Sequence, residues 1–154
     1  MIKEVIYEYW EKELPEVIER DVETDSSDLI NDIVGIRRCG KTFLMYSKIK
    51  KLMATASKKS TLYINFENRK LFPLKPEYFN EIIDFIYSEK MLEKGKVYLF
   101  LDEVQKIDGW ERFIRSIYDE FKGKIKIFVS GSNAALLSKD YGALLTGRHL
   151  STTL

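Results

Sequence analysis

The stretch "GIRRCGKT", residues 35–42, decides how the rest of the chain is read. Two glycines bracket four residues, a lysine follows and a threonine closes the run. With ordinary residue usage, the pattern G-x-x-x-x-G-K-[S/T] arises by chance in on the order of one in a few hundred chains of this length. Its meaning therefore depends on its surroundings. A phosphate-binding loop needs a strand before it, a helix after it and a carboxylate downstream.

The surroundings supply all three. "LINDIVGI" (29–36) is apolar and β-branched enough for a strand that ends at Gly35. After Thr42 the period changes: Leu44, Met45, Ile49, Leu52 and Met53 form a helical stripe, with lysines expected on the opposite face. Downstream, "KVYLFLDEVQ" (96–105) is a continuous apolar run that closes on Asp102 and Glu103, as a parallel strand buried on both faces does. "TLYINFEN" (61–68) and "KIKIFVSGSN" (124–133) read as two further strands, and "RHLSTTL" (148–154) as a fifth, at an edge.

Helices fill the intervals. Tyr78, Phe79, Ile82, Ile83, Ile86 and Tyr87 repeat with helical spacing after Pro76, and Trp110, Phe113, Ile114, Ile117, Tyr118 and Phe121 do the same. A short helix is expected over 134–138. Residues 2–13 place Ile2, Val5, Ile6, Tyr9 and Trp10 on one face, and a second short helix is expected from Pro15 to Val22. Residues 1–23 thus read as an N-terminal helical segment and 24–154 as one α/β core. Alternating strands and helices imply right-handed crossovers and a parallel sheet covered on both faces. Ligands of such sheets bind beyond the carboxyl ends of the strands. The segments 35–42, 102–103 and 131–133 all fall there.

The chain has 154 residues, 45% hydrophobic and 32% charged, with 25 basic against 24 acidic side chains and a net charge of +1. That balance gives no bulk attraction to nucleic acid. No apolar run reaches the ~18 residues of a membrane span, and the acidic N-terminus is unlike a targeting peptide, so a cytoplasmic location is expected. Cys39 is the only cysteine and His149 the only histidine, which argues against a metal cluster.

Each residue at the strand ends has a chemical reading. Glycines at 35 and 40 let the backbone come close to a polyphosphate and turn N–H groups toward it. The loop of Gly35, Ile36, Arg37, Arg38, Cys39, Gly40, Lys41, Thr42 and Phe43 is the candidate nucleotide-contacting segment. Lys41 reaches the outer phosphates, and Thr42 with Asp102 offers hard oxygen donors for Mg²⁺. Glu103 is the candidate base for the attacking water. Arg37 and Arg38 either touch phosphate or are exposed loop positions, and Cys39 reads as a small filler. In "SGSN", Asn133 or Ser132 can position water and sense the terminal phosphate, while the same four residues make a good turn and helix cap. Arg148 can place positive charge on a transferring phosphoryl group, in its own chain or a neighbour's, or lie on the surface. His149 reads as an edge-strand residue.

Assembled, "GIRRCGKT", "YINFEN", "YLFLDEVQKIDGWERFIRSIYDE", "IFVSGSNAALLS" and "LTGR" resemble the prokaryotic, especially archaeal, AAA-type P-loop ATPases whose loop reads G-[V/I/L]-R-R-x-G-K-T. The resemblance spans most of 29–150. It implies an αβα sandwich with a five-stranded, mostly parallel sheet in the order 5-1-4-3-2, ATP and Mg²⁺ as ligands, and a homo-oligomer or an unidentified protein as partner. It also implies that Asn133 or Ser132 is the polar sensor and Arg148 the arginine of the "GR" motif. Two departures stand out. Asn31 and Asp32 interrupt the first strand, so a short or shifted strand is expected, because a buried aspartate costs several kcal/mol unless paired. Relatives also continue into a helical or winged-helix region, which is expected to be absent here. The functional expectation is ATP hydrolysis, with a nucleotide-dependent switch of little turnover as the alternative. A small-acceptor kinase is the weaker third reading, since a Glu beside the metal Asp suits activation of water.

Overall fold

The computed structural model describes residues 1–16, 27–35, 40–136 and 147–153. Five strands form one sheet: β1 (Ile30–Val34), β2 (Thr61–Asn65), β3 (Val97–Asp102), β4 (Ile125–Gly131) and β5 (His149–Thr153). Their order is β2-β3-β4-β1-β5, which is 5-1-4-3-2 read from the other edge, and every neighbouring pair is parallel. The helices are α1 (Ile2–Glu11), α2 (Lys41–Leu52), α3 (Glu77–Ser88), α4 (Trp110–Phe121) and a single turn, α5 (Asn133–Leu136). The expected helix from Pro15 to Val22 and the end of the 134–138 helix lie outside the described residues.

Alternation along the strands assigns the two faces. Leu62, Ile64, Leu99, Leu101, Ile127 and Val129 share a core with α3 and α4. Tyr63, Phe100, Phe128 and Ile33 point the other way and pack with Leu44, Met45 and Ile49 of α2. The rings of Phe100 and Phe128 stack there, 4.3 Å apart and 1° from parallel. Asp102 has the parity of Phe100 and so projects to the α2 face, toward the loop motif. α1 brings Ile2, Val5 and Ile6 into the same core as α3, and Trp10 Nε1 donates to the Thr61 carbonyl at 2.8 Å.

Two expectations are corrected. Lys48 is not on the outer face of α2: four residues after Leu44, it falls on the buried side, with Nζ 5.7 Å from the centre of the Phe128 ring. Nor is β1 short or shifted, since it pairs in register with both neighbours over its length. Its polar residues are buried because they are partnered. Lys126 Nζ donates to Asn31 Oδ1 at 2.8 Å. The Asp32 carboxylate accepts from the Ser151 hydroxyl and lies 3.1 Å from His149 Nδ1.

Candidate functional site

Gly40, with φ of 92°, ends the loop in the left-handed region and caps α2, and the Leu44 N–H donates to its carbonyl at 2.9 Å. A side chain would strain that turn. Directly after it, Lys41 is 5% exposed. Its Nζ donates to the Gly35 carbonyl at 2.9 Å and the Gly131 carbonyl at 3.1 Å, and lies 3.3 Å from Glu103 Oε1. One ammonium thus ties the start of the loop, the end of β4 and the end of β3 together.

Thr42, on the next turn position, donates to Asp102 Oδ2 at 2.7 Å. Asp102 is fully buried, a costly place for a carboxylate unless its lone pairs are used. They are used: Oδ2 also accepts from the Tyr63 hydroxyl at 2.5 Å, and Oδ1 accepts from the Ser130 hydroxyl. Ser130 in turn accepts the Glu103 N–H at 2.9 Å. Burial first, and then the charge of Asp102, push the Tyr63 phenol far above its ordinary value. Tyr63 therefore stays an O–H donor at any working pH.

Glu103 adopts φ of 55°, an uncommon conformation for a residue with a side chain. It turns the chain from β3 into a 3-10 turn, Val104–Lys106. Its Oε2 accepts from Gln105 Nε2 at 2.6 Å. Chemically, the cluster presents a cation, a hydroxyl and two carboxylates at the carboxyl edge of the sheet. That set suits an anionic ligand accompanied by a hard cation.

The structure brings Gly35, Gly40, Lys41, Thr42, Asp102 and Glu103 together. Phe43 is 55% exposed, its ring packed edge-on against Tyr46. Ser132 Oγ accepts the Ala135 N–H at 3.3 Å, which is the helix-cap role. Ile36, Arg37, Arg38 and Cys39, and the side chain of Asn133, lie outside the described residues. Arg148 is not among the residues brought together: its Nε donates to Asp119 at 2.8 Å, and its carbonyl accepts the N–H of Ile30 at the start of β1, so it stands at the amino edge of the sheet.

Tyr63 and Ser130 are site residues that sequence reading missed. Strand order could have found Tyr63. β2 borders β3, Tyr63 pairs with Phe100, and Asp102 is two positions on, a diagonal that an aromatic side chain spans. Tyr63→Phe removes a hydrogen bond to a buried charge, a loss of roughly 1.5–3 kcal/mol. It is expected to lower the melting temperature, read by circular dichroism on heating.

Among the described residues no three His, Cys, Asp or Glu side chains group as a metal site, and no helix is long and apolar enough to cross a membrane. Residues 27–154 match the family model described as an AAA domain. An uncharacterized protein of Methanocaldococcus jannaschii is 35% identical over 139 residues, 90% of this chain and 29% of that protein. An uncharacterized protein of Haemophilus influenzae is 31% identical over 134 residues, 84% of this chain and 32% of that one. The chain thus spans under a third of the length of each of these relatives. The solved structure of C. elegans PCH-2 shares the fold, with a TM-score of 0.56 and 18% identity over 80% of this chain and 33% of that one. With 27–154 matched and the strand order and acidic strand end in place, the chain belongs to the AAA domain family.

Proposed function

We propose that the chain is a nucleotide-binding core that hydrolyses ATP in a Mg²⁺-dependent reaction. The observation that carries this reading is the convergence of Lys41, Thr42, Asp102 and Glu103 at one sheet edge. Thr42 and Asp102, two hard oxygen donors already 2.7 Å apart, would hold a Mg²⁺ ion. The ion would supply neutralising charge to the phosphates. Lys41 would exchange its carbonyl partners and Glu103 for phosphate oxygens. Glu103, released, would accept a proton from water as the water oxygen bonds to the terminal phosphorus. The bond from that phosphorus to the bridging oxygen breaks, and ADP leaves with the electron pair.

A homo-oligomer or another protein partner belongs to the proposal, with Arg148, paired with Asp119 at the amino edge, either facing a neighbouring subunit or serving as a surface ion pair. A cytoplasmic setting agrees with ATP as ligand.

One observation favours the alternative of a switch with little turnover: Glu103 is engaged by Lys41 and Gln105, a resting arrangement. Phosphate release by the purified chain separates the two. Sustained release that requires Mg²⁺ supports hydrolysis. Tight ATP binding without release supports the switch, and absence of both overturns the nucleotide reading.

A further inference from the structure

Gln105 is the single glutamine of the chain, and its amide is held in an expensive position. Its Nε2 donates to Glu103 Oε2 at 2.6 Å. Its Oε1 is buried and has no hydrogen-bond partner among the described residues. Buried acceptors of this kind are rare and destabilising. Turning the amide over would not relieve it, because a carbonyl would then face a carboxylate. The orientation is dictated by Glu103.

The surrounding chain makes room for this one placement. A Cβ at residue 131 would sit 2.6 Å from Gln105 Oε1 and 3.1 Å from Leu136 Cγ, so a side chain at 131 would push the amide out of this placement. The left-handed turn at Glu103 and the 3-10 turn after it set the two side chains, two residues apart, against each other. Glu103 thereby has two unequal oxygens. Oε2 is fixed by an N–H donor, whereas Oε1 faces Lys41.

We infer that Gln105 is a positioning residue for hydrolysis, whose amide anchors Glu103 Oε2 so that Oε1 is the oxygen that first holds Lys41 and then takes the water proton. This rests on the reading of Glu103 as the base. Loss of the donor leaves Oε2 unanchored, so the carboxylate is expected to lose its aim at the water while the phosphate contacts of Lys41 persist.

The experiment compares Gln105→Met, Gln105→Glu and Gly131→Ala with the parent and with Glu103→Gln, in steady-state phosphate release and melting temperature. Gln105→Met removes the donor at similar size, and is expected to lower kcat about ten-fold and leave KM within about two-fold. Gln105→Glu keeps the shape but offers no N–H to Oε2, and is expected to lower kcat at least as far. Gly131→Ala, which displaces the amide without changing its chemistry, is expected to follow Gln105→Met. A structural role alone would reduce melting temperature and leave kcat of the folded protein where it was. An unchanged kcat in the folded Gln105 variants overturns the inference while Glu103→Gln remains inactive. Turnover by Glu103→Gln at the parent's rate would instead overturn the assignment of Glu103 as base. If Gln105→Met does not fold, Gln105→Glu decides alone.

Discussion

Lys41→Ala is expected to weaken ATP binding by at least about 30-fold in a calorimetric titration. Truncating one partner of a buried charged contact costs about 2–5 kcal/mol, and each 1.4 kcal/mol is a factor of ten in affinity. The residue is suited to so large an effect because it is already sheltered from water: 5% exposed, it holds two carbonyls and one carboxylate in the free protein. Phosphate oxygens would replace those acceptors without a fresh cost of ordering the side chain. The same substitution leaves the carbonyls of Gly35 and Gly131 without this donor, so a modest fall in melting temperature accompanies the loss of binding. Folding is checked by circular dichroism. Unchanged ATP affinity in a folded Lys41→Ala protein would contradict the phosphate role outright.

Glu103→Gln should separate binding from chemistry. A general base contributes roughly 10²–10⁴-fold to rate, and phosphate release is expected to fall by that factor. Binding is expected to hold or to tighten a few-fold. The reason lies in the free protein, where the carboxylate competes with phosphate for Lys41 across 3.3 Å. An amide in its place exerts no ionic pull on the ammonium, so less must be given up when nucleotide arrives. Equilibrium binding with single-turnover release on the same preparation measures both. Loss of binding in step with loss of rate would mean that Glu103 supports the loop rather than the reaction.

The legible parts of this molecule were those written in local pattern. β3 could be read because a parallel strand covered on both faces must be apolar at consecutive positions, and V-Y-L-F-L is. α3 and α4 could be read from stripes such as Tyr78, Phe79, Ile82 and Ile86, all of which are buried. The strand order came from family resemblance and not from periodicity, which says nothing about who neighbours whom. What local pattern hid was set by tertiary pairing. Tyr63 reaches Asp102 across two strands, and Ser130 joins Asp102 to the Glu103 backbone. Lys48 looked like a solvated lysine because its charge was given more weight than its place four residues after Leu44, on the buried side of α2. The place of Arg148 at the amino edge was legible from strand direction. In an all-parallel sheet the residue before a strand lies at the edge opposite the ligand, and β5 begins one residue later. Asn31 and Asp32 looked like faults in β1 because their partners sit on β4 and β5.

Those same partners determine how the last strand is placed. β5 is a half-exposed edge strand, and strands of that kind slip easily in register. Here Ile30 faces His149 and Asp32 faces Ser151, so both polar partners reach one buried carboxylate. Sliding β5 by one residue would set Leu150 or Thr152 opposite Asp32 and turn His149 and Ser151 to the other face. The carboxylate would then be stranded in the core, at a cost of several kcal/mol. Asp32 thus acts as an alignment key for β5: only one of the closely spaced pairings leaves no charge buried without a partner.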